Sequence, residues 1–187
     1  MTEHQAGLRE ALKLVAVTLK QSGVPFALAG GYALWARGAP EPHHDVDFVV
    51  AEEDRDRVSV VLVERGLEVR DPPEDWLFKV FVEGAMVDVL FRANGTPVDR
   101  EYLAASDEME VESVAMPVLS ATALISSKLS ALDERSCDLR RVIPAARAVR
   151  EQVDWERVGR QVEGNVFAEV TLDLLHRLGV VQAAGSR

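Results

Sequence analysis

The sequence is short of cysteine, of long apolar runs and of positive charge. Its single cysteine, Cys137, excludes an internal disulfide and favours a reducing compartment, so we expect a cytoplasmic protein. No apolar run reaches the roughly 18 residues that cross a bilayer, and the first residues, MTEHQAGLREALK, have no apolar signal core, so neither membrane insertion nor export is expected. The net charge of −10 argues against broad binding to a phosphate backbone.

The chain of 187 residues is long enough to bury a hydrophobic core, and its pattern changes near residue 118. Before that point, short apolar runs predict strands at 26–29, at 47–50 and in a hairpin over 76–91, between helices. After it, the periodicity predicts helices alone. We therefore expect an α+β fold, with a mixed sheet flanked by helices in residues 1–118 and a C-terminal helical region in residues 119–187.

Some helix boundaries can be predicted as well. Asp54 is expected to cap a helix that runs to Glu64. The helical region is expected to begin with a helix from Ser120 to Leu132. A second helix should follow from about Arg135 to Arg150, with Pro144 able to kink it.

Two aspartates mark the start of the second predicted strand. Asp45 and Asp47 are two residues apart, so alternation along a strand puts them on one face while Val46 and Phe48 enter the core. Neighbouring carboxylates repel unless a cation lies between them, and Mg²⁺ takes one or two carboxylates together with phosphate oxygens. Taken alone, however, the pair fits a solvated strand start better than a metal site.

Two further features lie in the same half of the chain. A predicted strand leads into Gly30-Gly31 and then a helix, an arrangement that lets backbone N–H groups approach a phosphate, although such junctions are common. Asp88 interrupts the apolar run Met86 to Phe91, where a charge is rarely buried without a partner; a half-exposed strand is the alternative. Together with the aspartate pair, these features favour a metal and nucleotide site.

The combined pattern resembles the signature of the nucleotidyltransferase-fold superfamily. Gly30-Gly31 is followed after thirteen residues by Asp45-x-Asp47 and later by Asp88, and the resemblance covers roughly residues 24–91. It implies that residues 1–118 form a nucleotidyltransferase-like core in which the glycine pair opens the nucleotide site. It also implies that the three aspartates bind metal and that Asp88 can act as a base.

The residues around these motifs are similar to two branches of that superfamily. Gly30-Gly31-Tyr32-Ala33-Leu34 and Pro42-His43-His44-Asp45 resemble the small lincosamide and aminoglycoside nucleotidyltransferases, except that the arginine common before Pro-His is Glu41 here. This branch implies an antibiotic as acceptor and a role in antibiotic resistance.

The second half of the chain resembles the AbiEii/MenT-type toxin nucleotidyltransferases through Lys128, Arg135 and Asp138. On a continuous helix these three side chains would lie within about 80° of one another around the axis. The resemblance implies that Lys128 and Asp138 bind or orient the nucleotide, that the chain belongs to a toxin–antitoxin system, and that an antitoxin is a partner. A solvated helix face with ordinary ion pairs is the alternative.

These observations predict an enzyme that moves a nucleoside monophosphate from an NTP to an acceptor hydroxyl, with Mg²⁺ held by Asp45, Asp47 and Asp88 at one or two sites. The acceptor stays open among a small molecule, the end of a tRNA and a protein hydroxyl. A catalytically silent nucleotide- or partner-binding module with the same fold is the alternative from a different class. Retention of three converging carboxylates argues against it.

Overall fold

The fold is described by a computed structural model that covers residues 2–181. The chain forms two compact units, which are described separately. The first is built from the chain up to Ala36 together with Glu41–Leu119, and the second from Arg37–Pro40 together with the chain from Ser120 onward.

The first unit combines helices with a mixed sheet, as the sequence predicts. Its helices are α1 (Glu3–Ser22), α2 (Gly30–Ala36), α3 (Arg55–Glu64) and α4 (Arg100–Ala104). Its strands are β1 (Phe26–Ala29), β2 (Val46–Val50), β3 (Glu68–Arg70), β4 (Leu77–Val82), β5 (Ala85–Leu90), β6 (Arg92–Ala93), β7 (Thr96–Pro97), β8 (Ser106–Val111) and β9 (Val114–Leu119).

Seven strands form one sheet in the order β3-β4-β5-β2-β1-β9-β8, and β6 pairs with β7 separately. The central strands β1 and β2 are antiparallel, while β2 runs parallel to β5 and β1 runs parallel to β9. The hairpin predicted over 76–91 is confirmed as β4 and β5, which are joined by a turn in which Glu83 and Gly84 have positive φ.

Helix α1 supplies much of the core of this unit. It begins with a capping box between Thr2 and Gln5 and ends at Gly23, whose φ of 69° provides the left-handed cap. Apolar residues recur along it at helical spacing and are fully buried: Leu8, Leu12, Val15 and Leu19. This face packs the helix against α3 and against strands β2, β5 and β9.

Asp54 has the predicted position before α3, but the predicted capping hydrogen bond is absent. Asp54 occupies the N-cap position of α3, but its side chain makes no capping hydrogen bond. A 3-10 turn, Glu52–Asp54, precedes α3 and leaves Asp54 with φ −94° and ψ −2°, whereas a capping residue needs an extended backbone. The buried carboxylate instead accepts a hydrogen bond from Arg100 at 2.7 Å.

The second unit is helical, with α5 (Ala121–Ser130), α6 (Leu139–Val149), α7 (Trp155–Gln161) and α8 (Val166–Arg177). Pro144 lies inside α6, which begins later than the predicted Arg135. Buried apolar residues from all four helices form its core: Leu124, Ile125, Leu129, Val142, Ala146, Val149, Val158, Ala168 and Leu175. Within residues 2–181, no helix is both long and apolar enough to span a bilayer.

Asn165 joins two of these helices. Its side-chain oxygen caps α8 by accepting from the N–H of Ala168 at 3.1 Å. Its amide nitrogen donates to the carbonyl oxygens of Ser130 and Leu132, both at 3.1 Å, at the end of α5. One side chain therefore begins one helix and holds the end of another.

Replacing Asn165 with aspartate should separate these two roles. Asn165→Asp keeps the capping oxygen but loses both donors and places a carboxylate against two carbonyl oxygens. We expect the free energy of unfolding to fall by about 1–3 kcal/mol, as measured by urea denaturation.

Asp154→Asn is the matched control, because Asp154 caps α7 through the N–H of Arg157 alone and asparagine caps equally well. Its effect should stay within about 0.5 kcal/mol. Equal losses in the two variants would contradict the role assigned to the donors of Asn165.

Candidate metal and nucleotide site

Three carboxylates converge in the first unit. Asp45, Asp47 and Asp88 each offer one oxygen, and these oxygens lie within 4.8 Å of one another. Asp45 immediately precedes β2, Asp47 lies within β2, and Asp88 lies within β5. The structure thus brings together the three aspartates that the sequence singles out, while their role in binding metal remains a prediction.

The register of the sheet places these side chains in one row. Asp47 lies opposite Ala29 of β1 on one side and opposite Asp88 of β5 on the other. Asp88 in turn lies opposite Lys79 of β4. Residues directly opposite each other point to the same face of a sheet, and Asp45 shares that face because it lies two residues before Asp47.

The opposite face of the same strands is apolar. Val46 and Phe48 flank Asp47, Val87 and Val89 flank Asp88, and all four are fully buried. A shift of one residue in either strand would bury a carboxylate and expose a valine, so burial of these neighbours fixes the direction of the acidic side chains. The core therefore determines where the carboxylates meet.

Asp88 has a cationic partner. Its side chain is only 10% exposed, and the ammonium group of Lys79 lies 2.9 Å from Oδ1 and 3.3 Å from Oδ2. Burial raises the pKa of Asp88 above its ordinary value, the hydrogen bond and charge of Lys79 oppose that rise, and the charges of Asp45 and Glu74 add to it. Lys79 thus offsets only part of the cost of ionising Asp88 in a buried position, and a bound cation would offset more of it.

Gly30 is required by the position of Asp47. Gly30 has a φ of +58°, and a Cβ built on it would lie 1.8 Å from Oδ2 of Asp47 and 2.5 Å from its Cγ. Any side chain at this junction of β1 and α2 would therefore displace a carboxylate of the cluster. This explains the first glycine of the pair without a phosphate, and phosphate binding by Gly30 stays a prediction.

Gly31 has a different neighbour. A Cβ at this position would lie 2.9 Å from the Cβ of Pro42, which belongs to the segment leading to Asp45. The start of α2 and that segment are thus packed with room only for a hydrogen at Gly31. Its predicted contact with phosphate likewise stays a prediction.

Lys128 and Asp138 belong to the second unit, and the continuous helix considered for them does not exist. Lys128 lies in the last turn of α5, which ends at Ser130. Asp133 then accepts hydrogen bonds from the N–H groups of Arg135 and Ser136 at 2.8 and 2.7 Å. Such local bonding by an aspartate replaces helical hydrogen bonds and ends the helix.

Asp138 has a structural function of its own. It caps α6 by accepting from the N–H of Arg140 at 3.2 Å. Its two oxygens also pair with the guanidinium groups of Arg140 and Arg141 at 3.3 and 3.4 Å. The role of Asp138 toward a nucleotide remains a prediction from the sequence.

Lys79 is the site residue that the sequence analysis misses, although a signal for it exists. Once Val82 and Ala85 are paired across the two-residue turn, counting outward along both strands places Lys79 opposite Asp88. The position of the turn is therefore enough to identify Lys79 as the cross-strand partner of Asp88.

The donor set fits Mg²⁺ well. Three carboxylates supply only oxygen ligands, and two of them come from adjacent, rigid strands. Asp45 and Asp47 are partly exposed while Asp88 is buried, so a cation bound to all three retains an open side for phosphate oxygens.

Comparison with known proteins supports the fold. No protein-family model matches the chain, and no curated protein sequence matches it. Among solved structures, the antibiotic-resistance factor ANT(2'')-Ia has a TM-score of 0.63 at 14% identity, over 91% of this chain and 97% of that one. A second structure of ANT(2'')-Ia, in complex with adenylyl-2''-tobramycin, has a TM-score of 0.56 at 15% identity, over 91% and 98% of the two chains.

Two other solved structures have the same fold at lower scores. A predicted nucleotidyltransferase from Thermotoga maritima has a TM-score of 0.51 at 21% identity, over 64% of this chain and 81% of that one. The lincosamide antibiotic adenylyltransferase LnuA, with lincomycin bound, has a TM-score of 0.50 at 15% identity, over 78% and 96% of the two chains. The chain therefore has the nucleotidyltransferase fold, which confirms at this level the resemblance found in the sequence.

Proposed function

We propose that this protein is a Mg²⁺-dependent nucleotidyltransferase that moves a nucleoside monophosphate from an NTP to a hydroxyl group. The observation that carries the proposal is the convergence of three carboxylate oxygens within 4.8 Å on one face of a sheet. The solved nucleotidyltransferases of the same fold support it. A merely structural sheet has no need for three like charges side by side, because each raises the free energy of the others.

Each site residue then has a distinct task. Asp45, Asp47 and Asp88 would hold Mg²⁺, which would supply positive charge to neutralise the triphosphate and the pyrophosphate that leaves. Gly30 leaves room for the carboxylate of Asp47, and the backbone N–H groups of Gly30 and Gly31 bind phosphate oxygens. Asp88 receives the proton of the acceptor hydroxyl, and Lys79 holds its carboxylate in place at 2.9 Å.

The transfer is a single displacement. The acceptor oxygen forms a bond to the α-phosphorus, and the bond from that phosphorus to the oxygen of the β-phosphate breaks. The products are the nucleotidylated acceptor and pyrophosphate. Phosphoryl-group transfer of this kind depends mainly on positioning and charge neutralisation, which the rigid strands and clustered carboxylates provide.

We propose a small cationic molecule with a hydroxyl group as the acceptor. ANT(2'')-Ia is seen with adenylyl-2''-tobramycin and LnuA with lincomycin, so the same fold accommodates antibiotics in these proteins. The net charge of −10 favours a cation over an anionic nucleic acid.

Incubation with labelled NTPs and a panel of aminoglycosides, lincosamides and bulk tRNA should label a drug. Labelled tRNA would contradict the small-molecule assignment.

Asp47→Asn should abolish Mg²⁺-dependent NTP binding, because it removes one charged ligand while preserving size and strand pairing. Isothermal titration calorimetry with each NTP, with and without Mg²⁺, measures the loss, and circular dichroism checks the fold. Asp173→Asn removes the same charge from an exposed pair with Arg177 on α8 and should bind as the wild type does. Undiminished binding by Asp47→Asn would refute the metal site.

Asp45→Asn should stabilise the metal-free protein. At about 4–5 Å two like charges repel by about 1 kcal/mol even in water, which corresponds to about 2–4 °C in Tm for a chain of this size. Thermal denaturation in EDTA should show that rise, and added Mg²⁺ should stabilise the wild type but hardly affect the variant. The convergence of the charges would be contradicted if the variant melted no higher and both proteins responded equally to Mg²⁺.

Lys128→Ala tests the nucleotide-binding role predicted for Lys128. If Lys128 acts as a countercharge to the triphosphate, its loss should weaken NTP binding by about 1.5–3 kcal/mol, the value of one charge-assisted hydrogen bond. Asp138→Asn should lower turnover more than binding. Wild-type affinity in Lys128→Ala would leave nucleotide binding to residues of the first unit. If the wild-type protein binds NTP but modifies no acceptor, the alternative of a catalytically silent nucleotide-binding module is favoured.

A further inference from the structure

Arg9 of α1 is the centre of a charged cluster away from the three carboxylates. Its Nε and one terminal nitrogen bind both oxygens of Glu41, at 2.8 and 2.7 Å. Its other terminal nitrogen lies 3.2 Å from Glu112 in the turn between β8 and β9. The guanidinium group also lies over the ring of Trp35 of α2, 4.7 Å from its centroid.

The side chains of this cluster are largely shielded from solvent, so their hydrogen-bond geometry is well defined. Only 23% of the Arg9 side chain, 16% of Glu41 and 24% of Glu112 is exposed. The hydrogen bond from Arg9 is the main cause that lowers the pKa of Glu41. A bidentate pair between a planar guanidinium and a carboxylate fixes both distance and orientation, which a lysine in this place could not do.

Glu41 begins the segment that delivers Asp45 to the site. Residues 41–45 lie outside helices and strands, so side-chain contacts of the segment contribute to its position. Besides the pair with Arg9, these contacts include Pro42 against Gly31 and His4 of α1, whose Nε2 lies 3.1 Å from the carbonyl oxygen of His43. Arg9 and His4, both of α1, therefore contact the segment of residues 41–45 through Glu41 and His43.

The three carboxylates differ in what fixes them. Asp47 and Asp88 lie within paired strands, directly opposite each other. Asp45 precedes the first residue of β2 and lies outside the paired register of that strand, so we expect its position to depend also on the segment before it. Among the three aspartates, Asp45 is therefore the one whose position should change most when the contact between Arg9 and Glu41 is lost.

We propose that Arg9 is a positioning residue for the metal site, acting through Glu41 on the segment that carries Asp45. The inference rests on the proposed function in taking Asp45 as a metal ligand. A guanidinium group has no lone pair to offer a cation, so Arg9 acts through Glu41 and not as a metal ligand. A partner that hydrogen-bonds a metal ligand directly typically changes metal affinity by about 10–100-fold when it is lost, and Arg9, which acts one step further away through Glu41, is expected to have a smaller effect.

The test is the double variant Arg9→Met/Glu41→Gln, which removes one positive and one negative charge and so leaves the net charge unchanged. This matters because loss of Arg9 alone would also make the region more negative and attract cations. We expect Mg²⁺ affinity, measured by calorimetry on the full chain, to fall several-fold, up to about tenfold. Hydrogen exchange of the backbone amides of residues 43–46 should become faster, while circular dichroism stays unchanged.

Glu112→Gln is the matched control. It removes the other carboxylate bound to the same guanidinium, which belongs to the turn between β8 and β9 and not to the segment before Asp45. Its Mg²⁺ affinity should equal that of the wild type even if its Tm is lower. A fall in affinity as large as that of the double variant would overturn the proposal, because the effect would then be general and not transmitted through Glu41.

The outcomes separate this inference from the function on which it rests. Wild-type Mg²⁺ affinity in a folded double variant would overturn the role of Arg9 and leave the metal site intact. No Mg²⁺ binding by the wild type would refute the proposed function and this inference with it. Should the double variant fail to fold, Glu41→Gln is compared with Glu112→Gln, because both variants lose one negative charge beside the same guanidinium. A several-fold lower affinity in Glu41→Gln than in Glu112→Gln supports the proposal, and equal affinities overturn it.

Discussion

The parallel pairing of β2 with β5 is the constraint on which the site depends. It sets Asp47 opposite Asp88, and the buried valines and phenylalanine on the other face prevent either strand from shifting by one residue. Two like charges are therefore held side by side by the hydrophobic core and not by any attraction between them. The free energy of burying the apolar face opposes their repulsion, so the folded chain keeps an arrangement that favours a divalent cation.

The same constraint explains the residues around the carboxylates. Because Asp47 lies against the start of α2, position 30 has no room for a Cβ, and because Asp88 is buried, it requires the charge of Lys79. Each of these neighbours has a structural reason that does not depend on a bound nucleotide. A catalytically silent relative could keep Gly30 and Lys79 for packing alone, so the aspartates themselves carry the argument for catalysis.

Much of this arrangement can be predicted from the sequence, because its periodicities are local. Alternation puts Asp45 and Asp47 on one face, and the turn at Glu83-Gly84 defines the hairpin that carries Asp88. The parallel pairing of β2 with β5 is not local, since the two strands are separated by a helix and two further strands. The superfamily resemblance, and not the periodicity, is what predicts that Asp88 meets the other two.

Predictions from the sequence fail where a charged side chain can bind more than one partner. Asp54 has the residue type and place of a cap, yet a preceding 3-10 turn gives it a helical backbone and Arg100 takes its carboxylate. Glu41 stands where an arginine is common in the lincosamide and aminoglycoside branch that the sequence resembles, and only the structure shows that Glu41 pairs with Arg9, thirty-two positions earlier in the chain. Charge at a given position predicts that a partner exists, but the partner's identity depends on long-range packing. For that reason the three aspartates proposed to bind metal can be named from the sequence, whereas Arg9, proposed to position Asp45, cannot.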